Sequence, residues 1–384
     1  MAKIKVRPED FIVEELIDIP FAVRGSYTIL KLEKQYWNTL DVIDYVARKK
    51  KVPVDHFERA GLKDRYSRST QYLSFKGDFK GSVVEKNFTI RPVGRSNMPV
   101  SPAMLRGNRF CMTLRNLRPE EIERIYQNAR EIGDHGFANY FGEQRFGSAR
   151  HGEGFIAKKM ILEHYGGALK LLLCYAHHDD NAAERKFKAY CHSHWRDWEG
   201  ALNLAPRFYR PVLHYLCTHP KDFKNALKQI DREYLNLYLL AYQSYIFNET
   251  LARLIIKYGI GNVSVKYSMG RFVFHRRPQP RNHLRGLSIP MANEKTNLTG
   301  TVGMCIKKVL AKEGIPLKRM GLQKMRLRGV RFKKFSRSAV IFPEGFDVSD
   351  PLPDELYPKA HRCAVKCTLP PGTYATVLIK RCLL

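Results

Sequence analysis

The sequence predicts an α+β fold in which a strand-rich domain is interrupted by a largely helical α/β insertion. Three observations carry that prediction. Segments rich in β-branched and aromatic residues crowd both ends of the chain. Helical periodicity dominates from about Gly154 onward. The 384 residues, 44% of them hydrophobic, suffice for two compact domains or for one domain with a large insertion. The expected division is 1–153 and 337–384 for the outer domain and 154–336 for the insertion.

Each element follows in order. Residues 11–16 and 27–32 are rich in β-branched and aromatic residues and read as strands. Asn38-Thr39-Leu40-Asp41 offers a helix start, and Leu40, Ile43, Val46 and Ala47 give the run to Lys50 one apolar face. Pro53 ends it. Further strands are expected at 71–75, 88–93 and 109–114. Pro119 suits the first turn of a helix with Ile122, Ile125, Tyr126 and Ala129 inward, closed by Gly133 and Gly136. The longest predicted helix spans 231–258, with Asp231 as N-cap and Gly259 just beyond its end. Its Tyr234, Tyr238 and Tyr245 stand at helical spacing and read as core. Strands return at 338–342, 363–369 and 374–380.

Charge narrows the partner. Sixty-six Lys and Arg against 37 Asp and Glu leave a net +29, a potential that attracts polyanions, nucleic acid first. No apolar run approaches the ~18 residues that span a bilayer. The opening Met1-Ala2-Lys3-Ile4-Lys5-Val6 has no apolar h-region, so a cytoplasmic protein without a membrane partner is expected. Eight cysteines include no CxxC pair and read as reduced, buried thiols. Cys191-His192-Ser193-His194, Cys363 with Cys367, and His177-His178-Asp179-Asp180 could each supply metal ligands, but none has a partner set and no metal is expected. Two basic stretches stand out. One carries five arginines between 271 and 285; the other, 318–337, carries nine Lys or Arg and no acid, which favours phosphate contact.

Two short segments hold the candidate chemistry. Ala60-Gly61-Leu62-Lys63-Asp64-Arg65 sets one carboxylate between two cations, which would favour its ionised form. Such an acid can act as nucleophile or general base, while the bare spacing also fits a turn whose Asp caps a backbone amide. Asn139-Tyr140-Phe141-Gly142-Glu143-Gln144-Arg145-Phe146-Gly147 packs aromatics, amides and a cation together. Phe141 could stack on a base, Asn139 matches a uracil edge, and Arg145 could hold a phosphate. A buried aromatic cluster with glycine turns is the other reading of the same residues.

The chain resembles the TruD family of tRNA pseudouridine synthases. The resemblance rests on Arg7-Pro8-Glu9-Asp10-Phe11, on Ala60 to Asp64 with Ser69-Thr70-Gln71, on Asn139 to Gly147, and on Leu369-Pro370-Pro371-Gly372-Thr373-Tyr374. These stand in the family's order, and Ala241 to Asn248 is the best match within the insertion. The resemblance implies a pseudouridine synthase catalytic domain with a mixed or antiparallel sheet, and a reaction that breaks a uridine's N-glycosidic bond, turns the base and rejoins it through carbon. It implies no cofactor and no metal. The family's usual substrate is uridine 13 of certain tRNAs; other structured RNAs are further candidates, and no protein partner is indicated. The family's catalytic aspartate falls on Asp64, with Lys63 supporting it by holding its charge or steering phosphate. Base-contacting positions fall on Phe11, Asn139 and Tyr374, and Phe141 would stack nearby. Lys5, Arg65 and Arg145 are candidate phosphate contacts. Two other readings compete: a non-catalytic RNA-binding or chaperone protein that keeps the fold, and a metal-dependent RNA hydrolase using His177, His178 and Asp179.

Overall fold

A mixed sheet organises both ends of the chain. The computed structural model describes residues 2–149, 151–177, 180–280 and 284–384. They divide into two compact units, one of residues 1–136 with 342–384, the other of residues 137–341. The first unit opens with strands β1 (Phe11–Ile17) and β2 (Tyr27–Lys34), helix α1 (Thr39–Lys50), strands β3 (Arg68–Lys76), β4 (Phe88–Ser96) and β5 (Leu105–Leu117), and helix α2 (Pro119–His135).

α1 seats Val42, Ile43 and Val46 on Leu30, Leu32, Leu73 and Phe88 of the sheet. Burying one such side chain stabilises by about 1.5–3 kcal/mol. The buried stripe runs through 39, 42, 43, 46 and 47. Leu40, expected inward, lies one position off that stripe and is exposed. α2 starts on Pro119, with Glu121 accepting from the Arg118 amide at 3.0 Å, continues through Gly133 and stops at Gly136, whose φ of 68° a side chain would resist.

The second unit begins with β6 (Phe137–Ala138) and is then helical: α3 (Ile156–Ile161), α4 (Tyr165–Leu173), α5 (Ala182–Ser193), α6 (Trp198–Leu204), α7 (Arg210–Thr218), α8 (Phe223–Leu227) and the long α9 (Arg232–Tyr258). After α9 come β7 (Val263–Tyr267), β8 (Gly270–Phe274), β9 (Ser288–Pro290), α10 (Gly300–Glu313), β10 (Ser336–Ser338) and β11 (Val340–Ile341). Strand pairs β7–β8, β9–β10 and β6–β11 are all antiparallel. Asp231 caps α9 through the Glu233 amide, as its sequence predicts. The tyrosine stripe is only partly core: Tyr245 is buried, but Tyr234 is exposed, because Leu235, Leu239 and Tyr242 take the inward row. α5–α6 and α7–α8 build one capping cluster twice, at positions 25 apart. Tyr190 donates to Asp197 and Tyr215 to Asp222; His194 and His219 stack on those rings at 4.4 and 4.5 Å. Each Asp also accepts a backbone amide at the start of the following helix, from Gly200 and Asn225.

The chain then returns to the first unit with β12 (Glu344–Val348), β13 (His361–Leu369) and α11 (Ala375–Cys382). The sheet order is β12-β13-β5-β1-β3-β2-β4, closed by the two-residue strand Phe21–Ala22. β1 and β3 pair in parallel, and the other neighbours are antiparallel. The strand expected at 374–380 is instead α11. Its β-branched Thr376, Val377 and Ile379 suggested a strand, but Ala375, Leu378, Ile379 and Cys382 are buried at helical spacing, and packing on α2 overrides propensity. By contacts, 137–153 and 337–341 fall with the second unit, held there by the β6–β11 pairing and the Phe141–Asn248 hydrogen bonds. A buried ion cluster ties the outer parts of the first unit together. Arg115 of β5 meets Asp10 at 2.8 Å, Asp354 at 3.0 Å and Glu355 at 3.0 Å.

Candidate active site

Asp64 sits in the loop before β3, its carboxylate about a quarter exposed. The loop backbone is fixed at three points. Lys34 and Ser67 donate to the Asp64 carbonyl, each at 2.9 Å. The Lys63 amide donates to the Thr39 hydroxyl, which in turn donates to Gln71, and Gln71 donates to the Gly61 carbonyl. These anchors come from the end of β2, the start of α1 and β3, elements that share one buried core cluster.

The cation on the carboxylate is Lys5, whose ammonium lies 2.5 Å from Asp64 Oδ2. The same ammonium stands 4.2 Å from the centre of the Phe11 ring, which packs edge-on against Phe110 at 5.9 Å. Lys5 takes a φ of 55°, an uncommon conformation for a side-chain-bearing residue, and the Lys3–Arg115 backbone bridge anchors the arm just before it. Phe11 is thereby 6% exposed, with the ammonium on its ring.

Lys63, expected to serve Asp64, points its ammonium to Glu15 at 2.7 Å and to Asn108 Oδ1 at 2.8 Å. Glu15 is fully buried and also accepts the Tyr72 amide. Buried Lys34 completes the group. Burial pulls its ammonium down to about 8, against the raising attraction of Asp64, and the Lys63 charge lowers it further. The sequence reading missed Lys34, Glu15 and Asn108. Their signal was a charged or amide residue on the inward phase of a strand, which a core position excludes unless it is paired.

Asn139 and Phe141 belong to the second unit. Both are buried. Arg337 donates to Asn139 Oδ1 at 2.8 Å, while Asn139 Nδ2 donates to the Ser338 carbonyl at 3.0 Å. The Arg337 guanidinium carbon lies 4.0 Å from the Phe141 ring centre, and Phe247 packs edge-on against that ring at 5.3 Å. Asn248 of α9 grips the Phe141 backbone in both directions, at 2.9 and 3.0 Å. The polar edge of Asn139 is therefore engaged with Arg337 and Ser338, and the guanidinium stands over Phe141. Arg337 was not among the sequence candidates; it closes the basic stretch 318–337 and was read only as part of that charge.

The remaining candidates scatter. Tyr374 precedes α11, half-buried, its carbonyl accepting the Val377 amide at 2.9 Å. Arg65 is exposed and donates to the Tyr36 carbonyl at 3.1 Å. Arg145 lies 5.8 Å from the Phe141 ring centre. His178 and Asp179 lie outside the described residues, while Asp180 accepts Lys188 and the His177 amide at 2.7 Å each.

In both units a cation bridges an aromatic face and a polar side chain: Lys5 between Phe11 and Asp64, Arg337 between Phe141 and Asn139. Both rings are buried, and in each case the cation lies on the aromatic face.

Comparison with known proteins identifies the family. A family model described as tRNA pseudouridine synthase D (TruD) matches residues 1–382. A probable tRNA pseudouridine synthase D 2 from Methanocaldococcus jannaschii is 30% identical, over 100% of this chain and 92% of that one. The tRNA pseudouridine synthase D of Aquifex aeolicus is 27% identical, over 99% and 97%. The fold matches a crystal structure of a putative tRNA pseudouridine synthase D from Methanosarcina mazei with a TM-score of 0.73 at 22% identity, covering 100% of this chain and 93% of that one.

Proposed function

The chain belongs to the TruD family of tRNA pseudouridine synthases, and on that premise we propose that it acts on uridine 13 of tRNA with Asp64 as its single catalytic carboxylate. One observation supports this reading above the rest: Asp64 is a partly exposed carboxylate on a backbone pinned from three elements, ion-paired to Lys5 beside the Phe11 ring. A pinned, charged oxygen is what an attack on a sugar–base junction needs, since a loose carboxylate forfeits the advantage of proximity. The reaction moves the base within one nucleotide, so atoms balance without a co-reactant. The uridine must first leave its stack before its glycosidic bond can be reached.

Lys5 orients the carboxylate. Lys63, turned to Glu15 and Asn108, acts as a positioning residue for the loop. Asn139 and Phe141 are the base-recognition residues of the second unit, exposed when Arg337 moves off them, and Tyr374 is a base-contact residue of the first. Arg65 and Arg145 serve flanking phosphates. The family insertion falls within the second unit, and the setting is cytoplasmic.

The test uses the full chain and a tRNA transcript. Asp64→Asn keeps the shape of the carboxylate and removes its charge. It should lower pseudouridine formation by at least about a thousandfold, in keeping with loss of an essential reacting group. Its tRNA affinity should stay within about threefold of the parent's, a shift under 1 kcal/mol. A transcript with cytidine at position 13 should give no product. Turnover retained in the variant would remove Asp64 from the reaction; product elsewhere in the second transcript would remove the position assignment alone.

A further inference from the structure

Residues 318–334 of the second unit cross its surface as a strap of 3-10 turns and irregular backbone. Met320, Leu322, Met325, Val330 and Phe332 are buried, and the eight Lys and Arg between 318 and 334 are all exposed. Among the described residues only Lys324 of those eight forms an ion pair, with Glu163 at 2.8 Å. Neighbouring charges fall within the ~8 Å screening length at physiological salt, so the strap repels itself.

The strap is nevertheless held in one shape. Asn236 of α9 donates to the Gly329 carbonyl and accepts the Arg331 amide, both at 3.2 Å. Gln243, two turns further on the same helix and fully buried, donates to the Lys333 carbonyl at 2.8 Å and accepts the Lys333 amide at 3.2 Å. Each amide thus pairs with the strap backbone as a neighbouring strand would. Leu322 and Arg326 take left-handed φ values of 48° and 47°, a conformation costing roughly 1–2 kcal/mol each for a residue with a side chain. Strain of this kind persists only where the surroundings impose it.

Beneath the first turns opens a cavity of about 220 Å³. Buried Met160, Leu322 and Met325 line it, with Tyr165, Gln323, the Glu163–Lys324 ion pair and exposed Lys318 and Arg319. It lies below the ~300 Å³ where sites for drug-sized ligands begin, which suits one flat ring. Apolar side chains, one aromatic, one amide and cations that outnumber the single, paired Glu163 carboxylate are features that receive an unstacked base beside its phosphates.

We propose that this strap is a second RNA-docking site, taking the phosphates of a single-stranded stretch on Arg326, Arg328 and Arg331 and one unpaired base in the cavity behind Lys318. The proposal rests on the reading that the substrate is RNA. A duplex is excluded from the cavity, because a paired and stacked base cannot enter it. Polyanion binding removes the self-repulsion among the seven strap cations that have no ion pair among the described residues.

The experiment measures binding of full-length protein to the tRNA transcript and to oligouridylate, as a function of salt. With R326Q, R328Q and R331Q combined, the log–log salt slope should fall by about two to three, at 0.7–0.9 per lost phosphate contact. The corresponding triple lysine variant should keep the parent slope. Q323W, at the exposed mouth, should weaken oligouridylate binding about fivefold or more with the slope unchanged, the size of one lost base-stacking contact. Photo-crosslinking of the unaltered protein to 4-thiouridine oligomers should label the peptides carrying Tyr165 or Gln323, whatever the variants do. An unchanged slope in a normally melting glutamine variant, or crosslinks confined elsewhere, overturns the proposal. Because binding is read, a protein that makes no pseudouridine yet shows these shifts sinks the proposed activity and leaves the strap standing. Normal pseudouridine formation with an unaltered slope does the reverse.

Discussion

Arg337 ties three side chains together: it joins Asn139 by hydrogen bond and Phe141 and Phe247 by their rings, at 4.0 and 5.5 Å. Lysine lacks both the planar fork and the stacking face. Arg337→Lys should therefore lower single-turnover pseudouridine formation by about tenfold or more, while tRNA affinity changes less than about twofold, because one good contact is worth near 1.4 kcal/mol and the charge is retained. Quench-flow kinetics against equilibrium binding separates the two. A proportional loss in both would make Arg337 a plain tether. The segments that carry Asp64, Phe11 and Asn139 stand out in the sequence because they are dense in chemistry. The partner of Asp64 does not: the sequence neighbour Lys63 looked right, but the ammonium comes from Lys5, 59 positions earlier. Adjacent side chains on extended backbone point to opposite sides, so Lys63 reaches Glu15 of β1 instead.

At the scale of elements, periodicity read most of the outer sheet and both flanking helices α1 and α2 correctly, because one face of each is buried. It failed at α11, where β-branched residues sit in a helix, and it could not see α9 as a row of amides. Asn236, Gln243 and Asn248 look like ordinary polar interruptions until the backbone they grip is in place. The doubled Tyr–His–Asp cluster was visible as a 25-residue repeat and went unread, because its residues are polar and its helices short. Arg115 joins elements far apart in the chain: the turn before β1, β5 itself and the 354–355 segment. Arg115→Met would leave the carboxylates of Asp10 and Asp354 buried without their cation. A loss of about 3–5 kcal/mol in urea unfolding is expected, the usual cost of breaking a buried pair by deleting one partner. A loss below about 1 kcal/mol would mean that water or Arg362 replaces it.

Over the whole molecule, alkaline pH is the weak side. Burial raises the thiols of Cys174 and Cys363 to about 11 and those of Cys191, Cys367 and Cys382 to about 12, from an ordinary value of 9. Above pH 9 the unfolded chain gives up these protons while the folded chain keeps them. The folded state then binds more protons, and its stability falls as pH rises, by up to about 1.4 kcal/mol per unit for each thiol. Lys34 acts the other way above pH 8, since its folded-state value is lowered, but it is one group against five. Calorimetry in reductant should show the melting temperature dropping steadily from pH 9 to pH 11, and Cys382→Ala should flatten that drop. A melting temperature that holds level would place these thiols in contact with water. The order of the sheet sets a further condition, this time on synthesis. β13 lies between β12 and β5, and every strand pairing of the second unit closes within 137–341. A nascent chain emerging from the ribosome can therefore finish its middle while its beginning still waits, with the edge of β5 bare, for the last forty residues to arrive.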